Sequence, residues 1–268
     1  MDLPVGLSLP QSWRVPWATL ALSAAILFVY FFLSGGLLFI SDQQLYPQAF
    51  SLDGTPQSLL SHIFVHVGIK HLVGNVVPLL LFGALVESTV SFHLLAVFLL
   101  SGVFASLLFA FLTAGTTLVG ASAAISGVMG AALAAKPRHA LLFLILTPII
   151  LFFFIFPGLQ AYTDFRAGQL AQQQTTLSQQ VVSLVKQQRV EEAAQANASL
   201  QEVVAQAAVE EAGKKREEEV STDTSVHLFG ALFGVAYLFL VRRRAFEEGI
   251  SEFRSLGEDL YSFTKSGK

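Results

Sequence analysis

Six blocks of the chain, at about 16–41, 68–87, 91–113, 119–135, 139–158 and 225–241, are so apolar that water is the wrong solvent for them. A spanning helix needs about 20 mostly apolar residues, because only a helix satisfies every backbone N–H and C=O within its own segment in hydrocarbon. With 53% hydrophobic residues, 13% charged residues and 24 Phe in 268 positions, the chain reads as an all-α multi-pass membrane protein built on a six-helix bundle. The fourth and sixth blocks are short and rich in Gly, Ala and Ser, which suits helices whose backbones approach closely inside a bundle. The first block is longer than a signal-peptide core and has no small-residue cleavage site after it, so it reads as a retained helix. Absence of Cys removes disulfides and thiolate chemistry. The formal charge of -3 averages two dissimilar regions and points to no nucleic-acid partner.

Basic residues orient the bundle. Lys136 and Arg138 lie between the fourth and fifth blocks, Arg242, Arg243 and Arg244 follow the sixth, and Arg14 precedes the first, whereas 42–61 and 114–118 contain no Lys or Arg. By the positive-inside rule both termini are expected in the cytoplasm, and the expected location is the cell membrane. The expected division is a cytoplasmic segment at 1–15, five transmembrane helices over 16–159, an extramembrane insertion at 160–224, a sixth helix at 225–241 and a cytoplasmic tail at 242–268.

The insertion is rich in Gln, Ala and Glu, and carries Leu170, Leu177, Val181 and Leu184 at seven- and four-residue spacings. That pattern predicts a helical hairpin or short coiled coil, with a turn at Asn197-Ala198-Ser199 and a solvated charge run from Lys214 to Glu219; a disordered polar linker is the alternative. Its leucine stripe could also support self-association with a second copy. In the tail, Phe246, Ile250, Phe253, Leu256, Leu260 and Phe263 recur every three or four residues among charges, as in a helix lying on the membrane surface.

Polar residues inside apolar spans are costly and need a reason. Ser122 opens the fourth span in the run Gly120-Ala121-Ser122-Ala123-Ala124, and His227 opens the sixth. Gly230 and Gly234 fall on the face of His227, so the sixth span can touch a small face formed by Ser122, Ser126, Gly130 and Ala134. That contact would bring an imidazole to a hydroxyl, and a neutral His can take the Ser proton during nucleophilic attack. Close packing alone would also explain the glycines, and a membrane Ser often bonds back to its own helix. His71 and Asn75 are four residues apart on one helical face and can donate hydrogen bonds to a developing oxyanion, or simply satisfy a neighbouring helix. His62 and His66, also four apart, have the spacing of two metal ligands on one helix. Glu87 and His93 are too far along the chain to close such a site.

As a set, these residues resemble the rhomboid intramembrane serine proteases. The likeness rests on His66 to Asn75 (His, four residues, then His-Leu-x-x-Asn), Phe82-Gly83 and Glu87, Gly120-x-Ser122, and His227-x-x-Gly230-x-x-x-Gly234. It implies a six-helix rhomboid bundle in which Ser122 is the nucleophile and His227 the general base, with His71, Asn75 and the Ser122 amide as the oxyanion hole. His66, Glu87, Gly120, Gly230 and Gly234 would support the site. The resemblance further implies a Ser-His dyad that uses no metal or other cofactor and cleaves transmembrane segments of other proteins that enter laterally from the bilayer. Four departures stand out: Ala123 where the family usually has Gly, Ser126 where an aromatic is common, no Trp-Arg pair in 42–61, and the insertion itself. They keep open a catalytically weak or inactive rhomboid-like protein that binds membrane clients. A metal-dependent membrane hydrolase using His62 and His66 is the other alternative.

Overall fold

The computed structural model describes residues 15–113, 115–219 and 224–266. The expectations for residues 1–14, including Arg14, and for 220–223 lie outside the described residues, as do those for the side chains of Leu260 and Phe263. Among the described residues the chain is helical, with two isolated β-bridges and no strand. Its long helices are α1 (Trp17–Ser34), α2 (Ile69–Val90), α3 (His93–Leu112), α4 (Ser122–Ala135), α5 (Pro137–Lys186), α6 (Val190–Glu219), α7 (Thr224–Val241) and α8 (Arg243–Ser266). Five of them, α1, α2, α3, α5 and α7, are long and apolar enough to cross a membrane, while α4 is apolar but only 14 residues long.

The short α4 forms the middle of the bundle, packed on α2, α3, α5 and α7. Ala124, Val128, Ala131 and Ala132 are fully buried there. Small side chains let backbones touch. A β-carbon on Gly230 would lie 2.2 Å from Ala123 O, one on Gly234 would lie 1.9 Å from Gly127 O, and one on Gly130 would lie 2.2 Å from Ala231 O. The two helices therefore run parallel, with 230 beside 123 and 127, and 234 beside 127 and 131. The small face of α4 is thus Ala123, Gly127, Gly130 and Ala131, rather than the expected face of Ser122, Ser126, Gly130 and Ala134. Ala134 instead meets Gly249 of α8, where a β-carbon would lie 1.9 Å from the Ala134 carbonyl.

The first apolar block ends early. Gly35 and Gly36 adopt φ of +59° and +86° and stop α1 at Ser34, short of the expected 41. Residues 38–40 then run beside 67–69, with Ile40 N–H donating to Val67 O (3.1 Å) and Ile69 N–H to Leu38 O (3.2 Å). At the other end of α1 the N-cap residue, Pro16, offers no side-chain cap. The Glu87 carboxylate supplies one from α2, accepting from the Ala18 N–H (2.9 Å), the Thr19 N–H (2.8 Å) and the Thr19 hydroxyl (2.8 Å).

The helix that holds the fifth apolar block does not end near 158. It passes through a π-helical turn at Leu151–Ile155 and continues without a break into the insertion as far as Lys186. The chain reverses at 187–189, with Gln188 at φ +60°, so the turn expected at 197–199 is a stretch of α6 instead. Ala-rich neighbours keep Asn197 and Ser199 helical, while Leu184, with Val181 against it, packs on Ala193 and Ala196 and sets the register of the hairpin. Leu170 and Leu184 are buried, so much of the stripe expected to meet a second copy is taken up within the chain. The tail is helical as expected. One face, Ala245 and Gly249, is buried, and Arg138 bonds with Glu252 (3.2 Å), Ser255 (2.9 Å) and Asp259, whereas Ile250 and Phe253 are exposed.

Candidate functional site

The site is built where α4 begins. Leu118 and Phe50 exchange backbone hydrogen bonds (2.8 and 2.9 Å), and the Gly120 N–H donates to His62 O at 2.8 Å, so the approach to Ser122 is pinned from both sides. Gly120 has φ +106°, a conformation side chains rarely adopt, and a β-carbon there would fall 2.7 Å from both Cε1 and Nε2 of His71. Glycine at 120 is therefore required twice, for the turn and for the approach of the imidazole. The Ala121 N–H points to His66 Nε2 at 3.4 Å. Ser122 is the first residue of α4, and the first N–H groups of a helix, its own included, have no intrahelical acceptor.

His227 lies in the first turn of α7, three residues before the glycine that touches Ala123. Since α4 and α7 run parallel, residues 227 and 122, each in the first turn of its helix, fall at the same end of the bundle. Both residues are half-buried. His71 in turn is close enough to His227 to interact electrostatically with it. His66 is fully buried, and its ring meets the His71 ring edge-on at 5.0 Å between centroids.

Asn75 is one turn after His71 on α2, as the spacing requires. Its Nδ2 donates to the His71 carbonyl at 2.8 Å, which uses one of its two N–H groups within the helix. His62 and His66 do not share a helical face, because 62–64 form a 3-10 turn and α2 begins only at Ile69. Both ring nitrogens of His62 are engaged, Nδ1 with Ser58 O and Nε2 with the Ser106 hydroxyl, each at 2.8 Å. The pair thus has the wrong backbone for the chelate that its spacing offered as an alternative. Glu87 lies at the far end of α2 from His71 and holds α1.

Two of the sequence departures have a structural account. The Ala123 methyl is buried with Ala105, Phe109 and Val226, so it contributes to packing between α3, α4 and α7. Ser126 is half-buried, one turn below Ser122. Sequence reasoning missed Ser106, which holds His62, and Ser101, whose hydroxyl donates to Val97 O (2.5 Å) and Ala124 O (3.2 Å) beside Gly127. The four-residue spacing of Ser101, Gly102, Ala105 and Ser106 is the signal that marks this face of α3. It also missed Glu217, whose carboxylate accepts from the His71 N–H at 2.8 Å.

Residues 53–171 match the family model of the Rhomboid domain, a stretch that contains His66, His71, Asn75, Glu87 and Ser122 but neither His227 nor α6. No curated protein and no solved structure matches the chain.

Proposed function

We propose that this chain, a multi-pass membrane protein of the rhomboid family by its matched domain, is an intramembrane serine endopeptidase that cleaves transmembrane segments of other proteins. The observation that carries the reading is the parallel contact of Gly230 with Ala123, which sets the levels of His227 and Ser122. In this reading His227 takes the proton as Ser122 Oγ attacks the scissile carbonyl, then returns it to the leaving amine. Water hydrolyses the acyl-enzyme by the same route in reverse. His71, Asn75 and the Ser122 amide donate to the oxyanion, at the start of a helix whose dipole favours negative charge. His66, Glu87, Gly120, Gly230 and Gly234 support that geometry, and no metal or cofactor is assigned a step.

The reading includes six spans, with α4 as the short inner one, both termini in the cytoplasm and α6 outside the cell membrane. Phe152, Phe153 and Phe154 are exposed on the π-helical turn of α5 and would flank the lateral route of a substrate helix. A second reading, a weak or inactive rhomboid-like protein that binds membrane clients, is favoured by the Asn75 amide being bonded into its own helix. One experiment separates them. Purified wild type should cleave a model transmembrane substrate, and Ser122→Ala or His227→Ala should each remove nearly all turnover without unfolding the protein. The double variant should be little worse than either, since the two act as a unit. Wild-type turnover in Ser122→Ala would overturn the dyad.

A further inference from the structure

The last turns of α6 are docked on the helix that carries His71. Gly213 lies so close to Phe39 that a β-carbon would be 2.2 Å from the ring-bearing carbon, and Glu210 accepts the Leu38 N–H at 3.0 Å. Arg216 donates to Ile40 O at 3.2 Å and pairs with Asp42. Residues 38–40 are therefore held on one side by 67–69 and on the other by side chains of α6.

Helix α2 lacks a side-chain cap of its own at its start. Its N-cap is Gly68, which has no side chain to receive the orphan N–H groups of the first turn. Ile69 donates to Leu38 O, and the Glu217 carboxylate takes the His71 N–H at 2.8 Å together with the Lys70 amide. A side chain at 68 would collide with that carboxylate, since a β-carbon would be 2.7 Å from Oε1. The arrangement repeats, at the opposite end of α2, what Glu87 does for α1. Here, however, the capped residue is itself a proposed oxyanion donor. Glu217 also precedes His227 by only ten residues.

We infer that Glu217 is a positioning residue: its carboxylate fixes the first turn of α2, and with it the His71 imidazole against Gly120, so that the insertion completes the oxyanion side of the site. The inference rests on the protease reading above and adds to it a part of the chain that lies outside the matched domain. A carboxylate also complements the positive end of the α2 dipole. Lys70 faces the same group and favours its charge, while Glu218 opposes it.

The test uses full-length protein and a model transmembrane substrate. Glu217→Ala and Glu217→Asp, which remove or withdraw the acceptor, should lower kcat about tenfold with KM changed by less than about twofold, as expected when a catalytic group is displaced but the substrate still binds. Glu217→Gln keeps an acceptor oxygen at the same reach and should restore kcat to within about threefold of wild type. Glu210→Ala and Arg216→Ala, which loosen 38–40 but not the His71 N–H, should leave kcat within about twofold. Hydrogen exchange at 69–71 should accelerate in the Ala and Asp variants. Wild-type kcat and exchange in Glu217→Ala would overturn the inference, and the same result in Glu217→Asp would do so if the Ala variant does not fold. An equal kcat loss in the Glu210 and Arg216 variants would overturn it too, by reducing Glu217 to part of a general clamp. Absence of any Ser122-dependent cleavage would sink the protease reading instead, and exchange at 69–71 would still decide whether Glu217 holds the helix.

Discussion

Asn75 is where the chemical and packing explanations compete most directly. Its amide already donates to His71 O, yet a second N–H remains, and a donor preset for an oxyanion is worth about a hundredfold in rate. Asn75→Ala should therefore lower kcat roughly a hundredfold while leaving KM nearly unchanged, because the interaction gains strength only as negative charge develops. Steady-state cleavage measures this, and an unchanged kcat would leave the amide with its intrahelical bond alone. Acidic residues of α6 give a second test. Burial pushes the Glu217 carboxyl above the usual carboxylate range, against the opposing pull of the His71 and Lys70 amides and the Lys70 ammonium, and burial raises Glu210 as well. A carboxyl raised in the folded state favours folding most below its ordinary value of 4.5, and that contribution fades as pH rises through the raised value. Thermal unfolding of wild type minus that of Glu217→Gln should thus fall as pH rises from about 4.5 through the raised value. A flat difference would mean that the carboxyl titrates as it does in water.

Between elements, the contact of α4 with α7 has almost no tolerance. A β-carbon on Gly127 would lie 2.1 Å from the Ser101 hydroxyl and 3.2 Å from Gly230 O, so Gly127→Leu must push α3 or α7 away. Overpacking of this kind costs about 1–3 kcal/mol or more, and because α7 carries His227, turnover should fall together with the melting temperature. Gly168→Ala is the control. Nothing lies within 4 Å of its β-carbon position in α5, so it should stabilise the helix by about 0.5–1 kcal/mol and leave cleavage unchanged. These elements differed in how legible they were. The apolar spans could be read because hydrocarbon demands long runs, and Gly230 and Gly234 because glycines at helical spacing announce a close partner. Which face of α4 they would meet could not be read, since Ala, Ser and Gly occupy several of its faces and only the row of Ile125, Met129 and Leu133 is large. The turn at 187–189 was hidden for a related reason: Gln188 carries no turn signature, whereas Asn197 and Ser199 do, and packing of Leu184 on Ala193 and Ala196 placed the reversal earlier. Glu217 was invisible because a charge run reads as solvated until the fold brings it to a capless helix.

Across the whole molecule, the insertion divides into two parts with different duties. Spacings along the hairpin are regular: Asp164 pairs with Lys214 at 3.0 Å, Leu177 and Val203 line one cavity, and Leu184 packs on Ala193. Residues 171 and 206 therefore oppose each other, and the hairpin can be shortened there without changing its register. Gln160, which accepts from Lys70, and Glu210, Gly213, Arg216 and Glu217, which meet 38–42 and the start of α2, all lie below that level. None of the proposed catalytic groups lies inside the insertion, so its sequence by itself predicts that replacement spares the site. Docking of α6 on residues 38–42 and on the start of α2 changes that expectation. Replacing 171–206 with a short Gly/Ser turn should keep kcat within about twofold of wild type, whereas replacing 166–219 should lower it at least about tenfold by freeing the first turn of α2. Cleavage of several substrates by both variants, with the mass of each in detergent, reads out catalysis, substrate choice and self-association together. Wild-type kcat in the long deletion would show that α6 adds nothing to the site. Loss of activity in the short deletion would instead assign a catalytic duty to the tip of the hairpin, far from Ser122.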